Sequence, residues 1–215
     1  MKTITTALVA ACLLLVGGCR WLGIQGNGKI QTGERPVSAF ANIDARGGFE
    51  IEWQNGTPAL RITTDENLFR YIESSVSGDT LRLRTREQIR PSHGIKVVIS
   101  SPTRTGAKLT GAVKLTVKQL SGPRFAVESS GAARVSLDGS VDQLLADMTG
   151  ASELAASALQ TKTAEISTTG AGDAEVAVTD TLKVAITGAG KVTYTGNPPT
   201  VEKHISGAGS VRHKD

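Results

Sequence analysis

The sequence is poor in aromatic side chains, with four Phe, two Tyr and two Trp among 215 residues. A core of stacked rings is excluded, so small and β-branched residues must do the packing. There are two cysteines, Cys12 and Cys19, and both fall at the N-terminus, so no disulfide framework can staple the rest of the chain. The three histidines, His93, His204 and His213, have no i, i+4 partner and no nearby cysteine, which removes the usual zinc spacings. A dominant charge is also missing: 24 Lys and Arg against 20 Asp and Glu leave a net +4, too mild to point to nucleic acid. Gly26-Asn27-Gly28 is no dinucleotide fingerprint, because no apolar strand precedes it and no helical pattern follows; it reads as flexible tether.

One long apolar run is present, Ile4 to Val16, and it is too short to span a bilayer. With Lys2 before it and Val16-Gly17-Gly18-Cys19 after it, it reads as an export signal. The tetrapeptide resembles a bacterial lipobox. That resemblance implies cleavage before Cys19, diacylation of its thiol and acylation of the freed amine. Each buried methylene of such chains contributes about 0.8 kcal/mol, so several chains on one residue give a lasting anchor. The expected layout is a signal peptide over 1–18, a lipid-anchored tether over 19–27 and a folded domain over 28–215. By resemblance to sorted Gram-negative lipoproteins, Arg20 in place of an Asp implies transfer to the outer membrane.

Self-similarity is the strongest positive signal. Six segments share a Ser/Thr-Gly-Ala core, with glycines at Gly111, Gly131, Gly150, Gly170, Gly188 and Gly207, spaced by 20, 19, 20, 18 and 19 residues. Aligned on that glycine, Leu115, Val135, Leu154, Ala174, Val192 and Val211 fall four residues later. Val117, Leu137, Ala156, Val176, Tyr194 and His213 fall six later, and Leu109, Ser129, Met148, Thr168, Ile186 and Ile205 two before.

Within a segment the apolar residues recur every second position, as in Leu182, Val184 and Ile186, which is the period of a strand with one buried face. A unit of about 19 residues cannot bury its own strands, so it must stack on copies of itself. The predicted fold is all-β, a single-stranded parallel β-helix of about 19 residues per coil, with coils about 4.8 Å apart over roughly residues 105–215. The glycine supplies the backbone angles of a tight corner, the alanine is expected where the corner crowds the interior, and the hydroxyl is expected to bond a neighbouring turn or its own backbone.

Residues 28 to about 105 lack the repeat but alternate like strands at Phe49, Ile51, Trp53, at Leu81, Leu83 and across Ile95 to Ile99. A short helix is expected from Glu66 to Glu73, with Asp65 as N-cap and Leu68 and Ile72 on one face, covering the open end of the solenoid. At the other end, charge in Val211-Arg212-His213-Lys214-Asp215 blunts the strand edge.

Gly26-Asn27-Gly28, Arg35-Pro36-Val37, Phe40, Ile43, Gly47-Gly48-Phe49-Glu50-Ile51, Asp65-Glu66-Asn67-Leu68 and the later glycine repeats together resemble the GIN domain, described as the head of auto-transporter adhesins. The similarity covers nearly all of the chain beyond the signal. It implies a right-handed β-helix, found in envelope proteins without an established enzymatic activity.

Candidate chemistry is sparse. Glu50 and Glu52 share a strand face about 7 Å apart, a separation that suits two-carboxylate glycoside hydrolysis, although any half-buried strand makes such pairs. Asp138, Asp142, Asp147, Asp173 and Asp180 lack the dense glycine–aspartate pattern of calcium-binding solenoids and read as turn formers. Arg82, Arg84 and Arg86, with Arg90 nearby, form a basic stripe that suits phosphates or acidic glycans and are the candidate surface-binding residues, with a solvated strand face as the competing reading. No catalytic, cofactor or metal residues are assigned. The expected function is a surface-anchored, non-catalytic binding or scaffold module of the bacterial envelope. The alternatives are a β-helical polysaccharide-active lyase or hydrolase and a self-associating structural protein. Expected partners are the membrane through the lipid, envelope or host glycans or proteins, and further copies of the chain, with no nucleic acid.

Overall fold

The computed structural model describes residues 23–214, so the export signal, Cys19 and Arg20 lie outside the described residues. Those residues form a β-solenoid of about five turns, counted from Gly111 to Gly207. Four long bent strands make its middle: β11 (Lys114–Gly131), β12 (Arg134–Gly150), β13 (Glu153–Gly170) and β14 (Asp173–Gly188). Each runs along three walls from one corner to the next, and each pairs in parallel with the next.

The walls continue beyond these coils in both directions. On the wall that leads into the corner glycine, β10 (Gly106–Gly111), β3 (Asn42–Gly47) and β7 (Thr80–Thr85) stack below β11, while β16 (Thr200–Gly207) stacks on β14. On the wall after the corner, β4 (Glu50–Asn55) and β9 (Lys96–Ser101) lie below β11, and β15 (Lys191–Thr195) and β17 (Ser210–His213) lie above β14. The third wall, Leu120 to Arg124 and its equivalents, exists in the four long coils. Register shifts at Val117/Leu120, Ser136/Asp138 and Ala156/Gln160 sit beside this wall, and such bulges absorb the unequal repeat lengths without disturbing the other two.

The predicted columns are real. Leu115, Val135, Leu154, Ala174 and Val192 occupy successive rungs and are all buried, as are Leu109, Ser129, Met148, Thr168 and Ile186. One coil escapes the repeat pattern. Gly47 pairs with Gly111 in register, so residues 42–55 form a coil whose corner is spelled Arg46-Gly47-Gly48. The chain then leaves the stack to build the terminal coil and returns 64 residues later.

The corner glycines have two reasons to be glycine. Their φ values are positive, +102° at Gly150 and +120° at Gly170. A Cβ on Gly150 would also lie 2.5 Å from the carbonyl oxygen of Gly131 one rung below, and one on Gly170 2.6 Å from that of Gly150. The same carbonyls accept the next N–H up: Ala151 donates to Gly131 and Ala171 to Gly150, each at 2.9 Å. The alanine after the glycine does not face the interior as expected. Ala112, Ala132, Ala151, Ala171, Ala189 and Ala208 are exposed on the convex side of the corner. The crowded interior position is the next one, Val113, Ala133, Ser152, Gly172, Gly190 and Gly209, which is buried except at the last coil. A Cβ on Gly190 would meet Thr168 Cγ2 at 2.9 Å, and one on Gly209 would meet Ile186 Cγ2 at 2.5 Å, so a β-branched neighbour below dictates glycine there.

The N-terminal end is capped by strands joined through antiparallel pairs. β6 (Ile72–Ser77) pairs antiparallel with β7, and β5 (Ala59–Asp65) with β9, while β2 (Ile30–Arg35) pairs antiparallel with β5. A 3-10 helix, Glu66–Tyr71, links β5 to β6 and buries Leu68, shorter than the helix expected over 66–73. Its expected N-cap, Asp65, makes no side-chain cap bond. The fully buried carboxylate instead accepts from the Gly28 N–H at 2.8 Å, the Ser92 N–H at 2.8 Å and the Ser92 hydroxyl at 2.6 Å. Burial pushes this carboxyl up, but the Ser92 and Gly28 donors outweigh it and hold it below the ordinary aspartate value.

The tether expected to reach residue 27 ends earlier. β1 (Ile24–Gln25) pairs in parallel with β8 (Ile89–Arg90), and the Ile24 N–H donates to Gln88 O at 2.8 Å. Asn67 bridges the next residues, accepting from the Asn27 N–H and donating to Gln25 O. A Cβ on Gly26 would stand 2.4 Å from Asp65 Cγ. Gly26-Asn27-Gly28 is therefore a docking loop closed around the Asp65 carboxylate, and residues 23–214 contain one continuous core with its own N-terminal cap.

Candidate functional site: the outward columns

In-register stacking turns every outward position into a column with one side chain per rung. On the post-corner wall the column Lys96, Glu50, Lys114, Arg134, Glu153, Asp173, Lys191 is a ladder of mixed charge. Lys114 bonds Glu50 at 2.8 Å, and Arg134 pairs with Glu153 at 3.4 Å. Exposed pairs of this kind contribute little stability, but they fix a flat, charge-balanced surface.

Glu50 and Glu52 belong to this surface. The Lys114 ammonium holds the Glu50 carboxyl below its ordinary value, and Glu52 is lowered first by its bond from Gln54 and then by Lys118. A glycosidase acid needs a carboxyl raised towards neutrality, and neither is. Ser92, His93 and Asp65 form the one serine–histidine–aspartate contact among the described hydrogen bonds, and its polarity is wrong for a nucleophile. Ionised Asp65 accepts a hydrogen bond from the Ser92 hydroxyl at 2.6 Å, so that hydroxyl's one hydrogen points away from His93, whose Nδ1 at 2.9 Å is left to donate to the oxygen and not to act as its base.

The aspartates scatter. Asp138 accepts the Gln119 N–H at 2.5 Å and Asp142 pairs with Lys162 at 2.8 Å, while Asp147 and Asp173 face out from different walls. No group of three acidic, histidine or cysteine side chains suited to a metal occurs among the described residues. His213 Nε2 lies 2.7 Å from Gly196 O, and its ring packs 4.9 Å from that of Tyr194.

The wall that leads into the corner holds the predicted arginines. Arg82 and Arg84 point outward from β7 beside Asp44 and Arg46 of the next rung. The structure brings Arg84 and Arg86 together on one partner, Glu73 of β6, with Arg84 Nε at 2.6 Å. The two arginines share the single negative charge of Glu73, and Arg82 is exposed opposite Ser75 and beside Asp44. Above Arg46 the same column continues as Thr110, Ser130, Thr149, Thr169, Thr187 and Ser206. All six are exposed, and their hydroxyls do not bond the neighbouring turn as expected; they face solvent as a ladder with a rise of about 4.8 Å. The repeat motif already contained this ladder in its Ser/Thr position, but its outward direction depends on the sense of the corner.

A depression of about 510 Å³ lies at the capped end between Val37, Pro58, Val98 and the Arg61–Glu34 pair. It is open to solvent and contains no convergent acid and base.

No curated protein matches the chain. Three solved structures are similar over almost their whole length. A protein from Bacteroides fragilis described as a putative adhesin is 24% identical with a TM-score of 0.73, covering 89% of this chain and 100% of that one. One from Parabacteroides distasonis described as a putative lipid binding protein is 22% identical with a TM-score of 0.61, covering 89% and 99%. One from Parabacteroides merdae described as a putative adhesin is 20% identical with a TM-score of 0.60, covering 90% and 100%. At these identities the likeness establishes a shared fold. The family model described as putative auto-transporter adhesin, head GIN domain, matches residues 39–198, a span that takes in every coil from β3 to β15, and the chain belongs to that family.

Proposed function

We propose that this protein is a non-catalytic binding or scaffold module of the bacterial envelope, held to the outer membrane through a lipid on Cys19. The observation that carries the reading is the set of outward columns, in which charged positions of both signs and, from Thr110 to Ser206, hydroxyl-bearing positions recur from rung to rung, with Glu50 and Glu153 paired to cations. Such a surface suits an extended partner that meets several rungs at once, through many weak contacts instead of one pocket. Its adhesin-like family and the apolar run before Cys19 support an envelope location.

Two experiments test this. Cys19→Ala should move the protein from the membrane to the soluble fraction. An array of envelope and host glycans and proteins, probed with residues 23–215, should give a ligand whose binding falls at least several-fold in Arg82→Glu or in a triple Thr149→Glu, Thr169→Glu, Thr187→Glu variant. Binding that ignores both variants, or turnover of a polysaccharide, would refute the assignment.

A further inference from the structure

We infer that the corner of the solenoid carrying β8 rests on the lipid headgroups of the membrane that holds the protein. This rests on the Cys19 anchor proposed above and adds to it a contact surface on the folded domain.

The argument is one of reach. The chain is fixed to the body from Ile24 onward, by the bond from its N–H to Gln88 O and by the closure of Gly26-Asn27-Gly28 on Asp65. Gly23 is already close, since a Cβ there would lie 3.1 Å from Gln88 O and 3.4 Å from Arg90 Cγ. Between Cys19 and Gly23 stand three residues, Arg20, Trp21 and Leu22. A fully extended chain gains at most about 3.3–3.6 Å per residue, so the lipid-bearing residue and Gly23 are separated by no more than about 14 Å whatever path the tether takes. A thioether-linked glyceryl group sits at headgroup depth, and Trp21 is a side-chain type that settles in the same layer.

The first folded groups in reach are Gln88 and the exposed Arg86 and Arg90, which lie on the excursion between β7 and β9 in the terminal coil. Arginine forks match phosphate geometry: Arg86, whose Nε is held by Glu73, keeps its terminal nitrogens for headgroup oxygens, and Arg90 adds a second positive charge beside them. A tether ending at residue 27 would have let the domain move away by roughly twice that distance. The docking loop removes this freedom and keeps the outward walls close to the bilayer.

The test uses the lipidated full chain in vesicles of phosphatidylethanolamine and phosphatidylglycerol that carry a headgroup acceptor dye. No cysteine follows Cys19, so Gln88→Cys and Gln160→Cys each provide a single labelling site, at the inferred contact and on the third wall respectively. Energy transfer from position 88 should exceed that from position 160 at least threefold. Inserting twenty Gly/Ser residues between Leu22 and Gly23 should bring the two together. Equal transfer from both positions with the native tether, or a signal at 88 that ignores the insertion, overturns the seat alone. Recovery of the wild-type chain in the soluble fraction overturns the anchor as well as the seat.

Discussion

Replacing Gly150 by Ala tests the corner most severely. Gly150 has φ +102°, which costs an L-residue about 1–2 kcal/mol. The new Cβ would also lie 2.5 Å from Gly131 O, so the rungs must part by at least about half an ångström where Ala151 and Ala171 donate at 2.9 Å. Weakening both bonds adds about 0.5–1.5 kcal/mol each, for a total of about 3 kcal/mol. In a domain of this size that lowers Tm by about 6–12 °C. Gly78→Ala is the control, because Gly78 has φ +62° but nothing within 4 Å of its missing Cβ. It should cost about 1 kcal/mol. The assay is thermal unfolding followed by circular dichroism at 218 nm for both variants and the parent. Equal losses of Tm in the two variants would refute the stacked corner, since backbone conformation alone would then account for both.

The buried Thr168 hydroxyl finds no hydrogen-bond partner among the described residues, so Thr168→Val should raise stability by about 1 kcal/mol, read as a higher urea midpoint at unchanged m; a lower midpoint would refute this. Asp65→Asn should cost about 1–3 kcal/mol at pH 7. Because the folded-state carboxyl of Asp65 lies below its ordinary value, its contribution is present at neutral pH and is lost as pH falls through the folded pKa, so the gap between parent and variant should close in acid. Lys203 occupies the interior column of Val127, Ala146, Ile166 and Val184 at the last rung, beside Ile205, which is 42% exposed. Lys203→Val should leave an apolar end whose association gives a mass that rises with concentration in sedimentation equilibrium more steeply than in the parent.

The repeating half was open to sequence reasoning because each rung imposes the same demands. Corner, interior and outward positions recur from Thr110 to Ser206 with the same residue classes. The coil at residues 42–55 was hidden for two physical reasons. Its corner uses Gly47-Gly48 without the hydroxyl and alanine, and its neighbour in space, β10, begins only after the cap has been built. The alanine column was misassigned because a small residue at a corner serves either a crowded concave side or a tight convex one, and periodicity does not separate them. Asp65 read as a helix cap from its local setting, but its partners Gly28 and Ser92 lie 37 and 27 residues away, beyond any local signal. The partner that Arg84 and Arg86 share, Glu73, lies 11 and 13 residues before them and reaches them only through the β6–β7 ladder, which the alternation of β7 does not reveal.

The most direct test of in-register stacking is a pair of disulfides in residues 23–215, which contain no native cysteine. Thr149 and Thr169 are register partners on adjacent rungs, about 4.8 Å apart and within disulfide range, whereas Thr149 and Thr187 are two rungs apart, about 10 Å and beyond it. Oxidised Thr149→Cys, Thr169→Cys should cross-link nearly completely within one chain, and Thr149→Cys, Thr187→Cys should stay reduced. Equal cross-linking in the two, or cross-linking in the second alone, would contradict the solenoid.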